Sequence, residues 1–439
     1  MLMLLQKNIK RRSLLFILLL FLFFFRTIFG LCSEFWFEDE LQIYLIGLKF
    51  YTSGEWPYFG PDVVYTNSQI PGALQGLLTG LPLYLFHIPE APIIFLNFIS
   101  FLALYFLAKY IEKRFPQLPI WFIYIIVFTL PWVLNYSTHV VNPSYVLPFA
   151  ILFFICFFEA IPLYKDYIIN KKTAFILMGL STSLIMQLHL SWVLLLPFPI
   201  IVWLIKIKEN KKKTTLILIM YYLAGFAMGS LLIIPTFIKY GLSGTGGTEH
   251  NLTFNFNNIK NLITILTRYF SLASYEIPYM LGANTHERLA ILKNKLWLIP
   301  SAIFLLIIGW LQVVLFIMYI FKKPFTKEFK TIKIITLVTF FIIFISFFFS
   351  VKGPSSHTFY LVFPLVLFYS FYCYNDIFFK YKKHFNYLFL SIFILSFILY
   401  TGIIINNYYT KSLYKNRDKV KAAIEQQDYK ILSRRRTDK

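Results

Sequence analysis

Residues 1–31 read MLMLLQKNIKRRSLLFILLLFLFFFRTIFGL, a basic start followed by an almost unbroken apolar run over 13–31. A run of about 20 apolar residues is long enough to cross the hydrocarbon core of a bilayer as a helix. No small-residue cleavage pattern follows it, so we interpret it as a first membrane helix with a cytoplasmic N-terminus rather than as a signal peptide. Arg26, near the outer end of this helix, either reaches the interface or faces the protein interior.

The rest of the chain has the same character. Its 439 residues are 58% hydrophobic and 14% charged, with a mean hydropathy of +0.66, and this composition excludes an ordinary soluble domain. The apolar residues form blocks instead of alternating, which excludes a transmembrane β-barrel. The net charge of +22 is divided among short loops, so it indicates membrane orientation and not nucleic-acid binding. The three cysteines have no spacing typical of a metal site or of a disulfide framework.

Eleven membrane helices are predicted, and the fold class is therefore an all-α polytopic membrane protein. Besides 13–31, the predicted spans are 90–108, 119–134, 144–161, 173–190, 191–205, 214–238, 296–321, 331–350, 357–375 and 387–405. Another apolar piece, 73–87, has only 15 residues and is interrupted by two glycines and a proline. We interpret it as a juxtamembrane helix in the interface, because counting it as a span would divide the basic loops between the two sides.

The basic residues orient this bundle. Lys and Arg number 23 in the predicted cytoplasmic segments and 8 in the outer segments, leaving aside Arg26 and the C-terminal tail. We therefore expect a multi-pass protein of the inner (plasma) membrane, with a single transmembrane domain over 1–405 and large outer loops at 32–89 and 239–295. The basic tail, 406–439, contains ten Lys and Arg and falls outside, against the usual preference. We keep this count because charges far from a helix end orient weakly.

Acidic residues are rare, yet they crowd immediately after the first span. Glu34, Glu38, Asp39 and Glu40 are four of only 20 in the chain. Carboxylates brought together at a membrane surface repel one another. Such a cluster therefore indicates a role, which is to bind a cation, to pair with a basic side chain or to abstract a proton. The alternative is a solvated acidic turn that helps to orient the first helix, and composition alone leaves both interpretations open.

Five stretches resemble outer segments of the GT-C membrane glycosyltransferases. FEDELQIYLIGLKFYTSGEWPYFGP (37–61) and PGALQGLLTGLPLYLF (71–86) resemble the first outer loop of the family 39 branch, which holds protein O-mannosyltransferases and the lipid A aminoarabinose transferase. WVLNYSTHVVNPSYVLPF (132–149), MGLSTSLIMQLHLSWVLLLPF (178–198) and SSHTFYLVFPL (355–365) are similar to later outer turns of bacterial members. All five fall on the predicted outer face, as one active site requires.

The resemblance implies a GT-C-type bundle and a reaction. Such enzymes take a monosaccharide from a polyprenyl-phosphate carrier and transfer it, with inversion, to an acceptor on the outer face. In that branch an Asp-Glu pair follows the first span and a Tyr comes four residues later, matching Asp39, Glu40 and Tyr44. Asp39 then corresponds to the general base, and Glu40 orients the acceptor or a basic partner. The implied partners are an undecaprenyl- or dolichyl-phosphate-linked sugar, a cell-envelope glycan, glycolipid or lipopolysaccharide acceptor, and the bilayer.

Further polar residues of the outer segments are candidates for substrate binding, since the departing lipid phosphate needs cations or hydrogen-bond donors. They are Tyr44, Tyr65, His139, Asn142, Gln187, His189, Arg268, Lys352, His357 and Tyr360. Three have structural alternatives: Asn142 as a helix N-cap or Asn-Pro turn, His189 as a satisfied core histidine, and Lys352 as a lysine that reaches the interface. Many GT-C relatives carry another acidic residue where this chain has Asn142. We therefore favour metal-independent transfer and assign no cofactor, leaving a divalent ion open.

Two other function classes remain as alternatives. An envelope polysaccharide polymerase or ligase would use diphosphate-linked oligosaccharides and outer-loop Arg and His, and the Asp-Glu pair after the first span argues against it. A non-enzymatic transporter of lipid-linked sugars would need polar residues at mid-depth and a two-fold repeat of helices. The sequence displays neither feature, because Glu159 is the one carboxylate well inside a predicted span and it lies near a cytoplasmic end.

Overall fold

The apolar blocks fold as helices, which make up almost all of the structure. The computed structural model describes residues 2–33, 38–63, 68–209, 211–241, 254–282, 284–349, 353–354, 356–410 and 413–433. In chain order the α-helices are α1 (Leu2–Ser33), α2 (Glu38–Ser53), α3 (Leu74–Leu85), α4 (Ala91–Arg114), α5 (Ile120–Thr129), α6 (Pro131–Tyr136), α7 (Val146–Ala160), α8 (Lys171–Met186), α9 (Pro197–Lys208), α10 (Lys212–Ser230), α11 (Ile234–Tyr240), α12 (Leu262–Ser271), α13 (Pro278–Leu281), α14 (Thr285–Asn294), α15 (Ile299–Phe321), α16 (Lys327–Ser346), α17 (Phe363–Thr410), α18 (Leu413–Glu425) and α19 (Lys430–Ser433). Two strands, β1 (Phe59–Val63) and β2 (Ser68–Pro71), form an antiparallel hairpin between α2 and α3.

Each of the eleven predicted spans lies on a helix, which confirms the all-α polytopic membrane fold. Among the described residues, seven helices are long and apolar enough to cross a membrane, and the pair α10–α11, bent by 61°, makes an eighth. The predicted spans 357–375 and 387–405 belong to the two arms of α17, which bends at Tyr381. The predicted spans 119–134 and 173–190 correspond to shorter helices, the α5–α6 pair and α8.

Helices α8 and α10 approach one another closely through small residues. A Cβ atom placed on Gly225 would lie 1.9 Å from the carbonyl oxygen of Ile176, so only glycine fits there without a backbone shift. Gly229 lies one turn further along α10, and Ser183 Oγ is 2.9 Å from Ser230 Oγ. Membrane helices associate through such small residues because lipid tails are as apolar as leucine, so close packing must provide the attraction.

A buried ion pair joins α4 and α7 at the end of the bundle that is predicted to be cytoplasmic. Arg114 Nη2 lies 2.6 Å from Glu159 Oε1, and the Tyr110 hydroxyl donates to the same oxygen at 2.8 Å. Arg114 Nη1 also reaches Asp166 Oδ1 at 3.0 Å. Glu159 is therefore engaged in holding α4 and α7 together. Removing one partner of such a buried ion pair costs about 3–5 kcal/mol.

The first outer segment forms a platform of two helices. Helix α3 has 12 residues and packs along α2, in agreement with the predicted juxtamembrane helix. The helices meet at two glycines, where a Cβ atom on Gly80 would lie 2.6 Å from the carbonyl oxygen of Gly47. In the hairpin between them, Gln69 Nε2 donates to Asp62 Oδ1 at 2.8 Å. The α2–α3 platform is thus held together by contacts of its own.

The C-terminal tail docks on this platform. Arg417 forms an ion pair with Glu90, which follows α3, and Gln427 Nε2 donates to the hydroxyl of Tyr51 on α2 at 3.0 Å. Val420 and Ala423 are buried on the inner side of α18. The tail therefore lies at the same end of the bundle as the first outer segment, as the count of eleven spans requires despite the basic character of the tail.

We expect single cysteines to report this sidedness. In a protein without its three native cysteines, Glu425→Cys, at an exposed position of α18, should react with a membrane-impermeant maleimide in intact spheroplasts. Lys211→Cys, in a predicted cytoplasmic loop, is the matched control and should react only after permeabilisation. Labelling in the reverse order would contradict the placement of the tail.

We also expect Gly225→Ala to destabilise the protein by about 1–3 kcal/mol, because the added Cβ atom overpacks the α8–α10 contact. Gly353→Ala is the control, since a Cβ atom at Gly353 meets nothing within 4 Å. Thermal unfolding of both variants in detergent would check this. Equal melting temperatures would mean that α8 and α10 do not pack as described.

Candidate active site at the outer end of the bundle

The acidic cluster lies at the start of α2. Glu38 is the first residue of that helix, and Asp39 and Glu40 follow in its first turn. Unpaired backbone N–H groups and the helix dipole favour ionised carboxylates at such a position. Glu40 is partly buried, whereas the side chains of Glu38 and Asp39 lie outside the described structure. The backbone brings the acidic residues to one helix end, and their roles remain predictions.

Tyr44 lies one turn further along α2, with its side chain in the core. Its hydroxyl donates a hydrogen bond to the carbonyl of Pro89, which ties α2 to the turn after α3. The structure thus gives Tyr44 a part in holding the platform, and a contact with substrate remains a prediction. Tyr65 and Lys352, two other predicted binding residues, lie outside the described residues.

Arg26 faces the protein interior, which decides between the two interpretations of the sequence. It is fully buried, and its guanidinium donates to Asn97 Oδ1 at 3.2 Å, to the Phe128 carbonyl at 2.8 Å and to Ser137 Oγ at 2.6 Å. Within the part of the chain that the structure describes, no carboxylate lies at ion-pair distance from it. A cation held by neutral oxygens inside a membrane protein is a functional candidate by default.

Three outer turns converge beside Arg26. The turn Ser356–Val362 contacts both the turn Asn142–Tyr145 and the turn Leu190–Leu195, and Asn142–Tyr145 also contacts α2. At this junction the ring of Tyr136 lies 6.2 Å from that of His357 and 5.8 Å from that of Tyr360. The segments that resemble GT-C outer turns are therefore neighbours in space.

Tyr360 lies within electrostatic range of Arg26. Its side chain is buried, and its hydroxyl has no hydrogen-bond partner among the described residues. An unsatisfied buried hydroxyl costs about 1–3 kcal/mol. A substrate oxygen at this position would remove that cost.

His189 is a neutral donor at this junction. The backbone N–H of Ser191 donates to His189 Nδ1 at 3.1 Å, so the neutral ring carries its proton on Nε2. Burial lowers the pKa of His189 to about 4, and the neighbouring His357 acts in the same direction. At neutral pH the Nε2–H group is therefore a donor without charge.

The other predicted residues near the turns differ in their surroundings. His139 Nδ1 lies 2.5 Å from the carbonyl of Asn135, and the ring of His139 is 5.8 Å from that of Phe29. Asn142 caps no helix, and its buried Oδ1 has no hydrogen-bond partner in the described ranges. The N-cap alternative for Asn142 is therefore wrong, whereas the Asn-Pro turn alternative agrees with its place at the start of the turn Asn142–Tyr145. A substrate contact through Oδ1 remains a prediction.

Gln187 supports the platform. Its Nε2 donates to the carbonyl of Gly229 on α10 at 3.0 Å. Its side chain also contacts Gly72, which has a φ of +122° and no room for a Cβ atom, because that atom would lie 2.6 Å from Gln187 Oε1. Gln187 thus joins the α8–α10 pair to the chain entering α3, and a substrate contact remains a prediction.

The second outer segment contains an element that the sequence did not reveal. The sequence around 257–272 has an amphipathic pattern that predicts a helix, and α12 confirms this prediction. The chain then continues through a non-helical stretch, 272–277, whose backbone at Glu276 packs on Gly309. Gly309 lies midway along α15, so this part of the loop enters the bundle to membrane depth. We call residues 262–281 the re-entrant segment.

Arg268 lies on α12, within the re-entrant segment, and α12 contacts the turn Ser356–Val362 that holds His357. Its guanidinium is 5.0 Å from the ring centroid of Tyr279, and the guanidinium of Arg288 on α14 is 5.4 Å from the same ring. The ring of Tyr279 is 5.2 Å from that of Trp132, which stacks on Tyr136 at 5.5 Å. A continuous row of aromatic rings therefore links Arg268 to the junction of the outer turns.

Sequence reasoning missed Glu276 and Tyr136 as members of this region. Tyr136 stood inside a matched stretch, so its position in the motif was a usable signal. Glu276 had no such signal, because the sequence places it in the predicted outer loop 239–295 and not in a span. Within the described ranges no three His, Cys, Asp or Glu side chains form a group that could hold a metal ion. Because the Asp39 side chain is not among them, the preference for metal-independent transfer remains a prediction.

The depressed pKa of His189 predicts an acid-sensitive fold. The unfolded chain binds a proton at His189 below about pH 6.5, whereas the native protein resists protonation until about pH 4. Stability should therefore fall as the pH drops through this window, by at most about 1.4 kcal/mol per pH unit. Melting temperatures of wild type and His189→Gln from pH 7.5 to 4.5 would check this. Parallel curves for the two proteins would show that His189 is not the responsible group.

Comparisons with known proteins give a likeness of fold. No protein-family model and no curated protein sequence matches the chain. Two solved structures of ArnT from Cupriavidus metallidurans do match, each at 9% identity over 91% of this chain and 76% of ArnT. The TM-score is 0.50 for the apo structure and 0.45 for the structure bound to undecaprenyl phosphate. The predicted resemblance to the GT-C membrane glycosyltransferases is thus confirmed at the level of fold, and this chain is a multi-pass membrane protein with the architecture of ArnT.

Proposed function

We propose that this protein is an inverting glycosyltransferase of the plasma membrane. It moves a monosaccharide from a polyprenyl-phosphate carrier to a glycan, glycolipid or lipopolysaccharide acceptor on the outer face. The observation that carries the proposal is the meeting, at one end of a bundle with the ArnT fold, of the acidic start of α2 with the turns that hold His189, His357 and Tyr360. The N-terminus is then cytoplasmic, and the platform and tail face outward.

Asp39 is the general base in this proposal. The acceptor hydroxyl oxygen attacks the anomeric carbon as the bond from that carbon to the phosphate oxygen breaks, and the hydroxyl proton passes to the Asp39 carboxylate. A carboxylate is suited to this role because it needs only hydrogen-bond reach of the proton. Its place in the first turn of α2 supports the ionised form. Glu40 orients the acceptor or a basic partner.

The leaving polyprenyl phosphate keeps its negative charge, so it needs donors more than a proton. Arg268 offers a guanidinium stacked on Tyr279, and His189 offers a neutral N–H group. Lys352 and His357 flank the last predicted outer turn in the sequence and are further candidates. Arg26 adds a fixed positive charge behind the junction, in a site of low dielectric where electrostatic interactions are strong.

Two alternatives make different demands. In a polymerase or ligase using diphosphate-linked oligosaccharides, outer-loop Arg and His would be essential and Asp39 dispensable. A transporter of lipid-linked sugars would need polar residues at mid-depth, and the polar groups of the re-entrant segment partly meet this demand. Glu159, however, is committed to its ion pair with Arg114.

The deciding experiment measures transfer of radiolabel from a panel of polyprenyl-phosphate sugars in membranes. Asp39→Asn should lower the rate about 100-fold or more, since general-base catalysis typically contributes that much. Asp418→Asn, an exposed tail position, is the matched control and should transfer at the wild-type rate.

Two results would overturn the proposal. One is full transfer by Asp39→Asn, and the other is no transfer by folded wild-type protein from any monophosphate donor. Diphosphate-linked donors would then be tested with Arg268→Gln and His357→Gln. Loss of activity in those variants alone would favour the polymerase.

A further inference from the structure

Glu276 is a carboxylate that the mechanism above does not use. It is 7% exposed and lies on the re-entrant segment, beside the middle of α15. Among the residues that the structure describes, its carboxylate has neither a hydrogen-bond donor nor an ion-pair partner. Burying a polar group without a partner is costly, and ionisable groups at membrane depth usually mark a functional site.

Two guanidinium groups face the same place without contacting Glu276. Arg268 and Arg288 are its charged neighbours among the described residues, and both lie over the ring of Tyr279. The guanidinium of Arg268 has no hydrogen-bond acceptor within the described ranges. Arg288 Nε donates to the carbonyl of Gly282 at 3.0 Å, so it is held in place beside the ring of Tyr279. An unpartnered guanidinium on Arg268, an unpartnered carboxylate on Glu276 and an aromatic face are thus present together in the described part of the chain.

The chemistry of this group defines its ligand. Guanidinium groups bind phosphate through charge-assisted hydrogen bonds. A carboxylate accepts hydrogen bonds from hydroxyl groups, and an aromatic ring offers an apolar surface to the C–H face of a sugar. We propose that Arg268, Arg288, Tyr279 and Glu276 form the site for the headgroup of a polyprenyl-phosphate sugar, in which Glu276 recognises the sugar hydroxyls and so determines which sugar is accepted. This inference rests on the proposed function and adds the residue that selects the donor.

The depth of the site favours the lipid-linked donor over a water-soluble acceptor. A soluble glycan approaches from the outer surface, whereas a lipid-linked headgroup can enter sideways from the bilayer at the level of Glu276. The chain leading into α12 and the start of that helix expose large apolar side chains, namely Phe254, Phe256, Ile259 and Ile263. The row Tyr279–Trp132–Tyr136 leads from Arg268 towards His357 and Tyr360.

The test separates recognition of the sugar from recognition of the phosphate. Purified wild type, Glu276→Gln and Arg268→Gln in nanodiscs are titrated with a fluorescent undecaprenyl phosphate. The probe is then displaced by unlabelled undecaprenyl phosphate or by a panel of undecaprenyl-phosphate hexoses and pentoses. Glu425→Gln, an exposed tail position, is the matched control, and size-exclusion profiles establish that every variant is folded.

We expect wild type to prefer at least one sugar-bearing lipid over bare undecaprenyl phosphate. Glu276→Gln should weaken binding of that lipid about tenfold, the effect of losing a hydrogen bond to a charged group, and leave bare undecaprenyl phosphate unchanged. Arg268→Gln should weaken both.

Three outcomes would overturn the inference. They are an absence of any sugar preference in wild type, an unchanged preference in Glu276→Gln, and equal weakening of bare and sugar-bearing lipids by Glu276→Gln, which would indicate a structural role. Asp39→Asn keeps this test distinct from that of the proposed function. If Asp39→Asn abolishes transfer while Glu276→Gln has no effect on binding, only the inference fails. If sugar-bearing lipids bind through Glu276 but wild type transfers none of them, only the proposed function fails.

Discussion

Backbone N–H and C=O groups inside a membrane must be satisfied by the protein itself, and the re-entrant segment depends on this constraint. Its non-helical stretch is held by side chains of the surrounding helices. The backbone N–H of Tyr275 donates to Gln312 Oε1 at 2.8 Å, and the Tyr374 hydroxyl donates to the carbonyl of Ala273 at 3.5 Å. Gly309 allows the close approach, because a Cβ atom there would lie 2.5 Å from the backbone nitrogen of Glu276. Only because these partners exist can a carboxylate be carried to this depth by a segment that leaves the helical conformation.

The outer end of the bundle follows a different principle, that of a rigid platform joined to the spanning helices at a few points. Gly47 and Gly80 bring α2 and α3 together, Gln187 joins them to α10, and the tail covers them through the hydrogen bond between Gln427 and Tyr51. The first turn of α2, with its acidic residues, is thereby held next to the turns from three other parts of the chain. Preorganisation of this kind lets fixed groups stabilise developing charge without rearrangement.

Much of the candidate site could be anticipated, because motifs on the outer turns share one end of the bundle once the topology is known. The predicted topology brings His189, His357 and Tyr360 to one place, and the structure agrees. The sequence could not decide the orientation of Arg26, since snorkelling and burial are both compatible with its position in the span. It also could not reveal that the Asn142 amide caps no helix, because capping depends on local backbone geometry. Glu276 was missed because an amphipathic pattern predicts a helix but does not give its depth.

The sequence by itself determined the class of protein, the helices and their order, because the length and polarity of each apolar block are set by the thickness of the bilayer. The distribution of Lys and Arg added the orientation as a prediction. The tertiary structure decided where the irregular parts go: the interior position of Arg26, the docking of the basic tail on the outer platform and the descent of the re-entrant segment. These features depend on contacts between residues far apart in the chain, such as Arg26 with Phe128 and Tyr275 with Gln312. No local pattern encodes them, since nothing in its own segment marks either partner before the fold brings the two together.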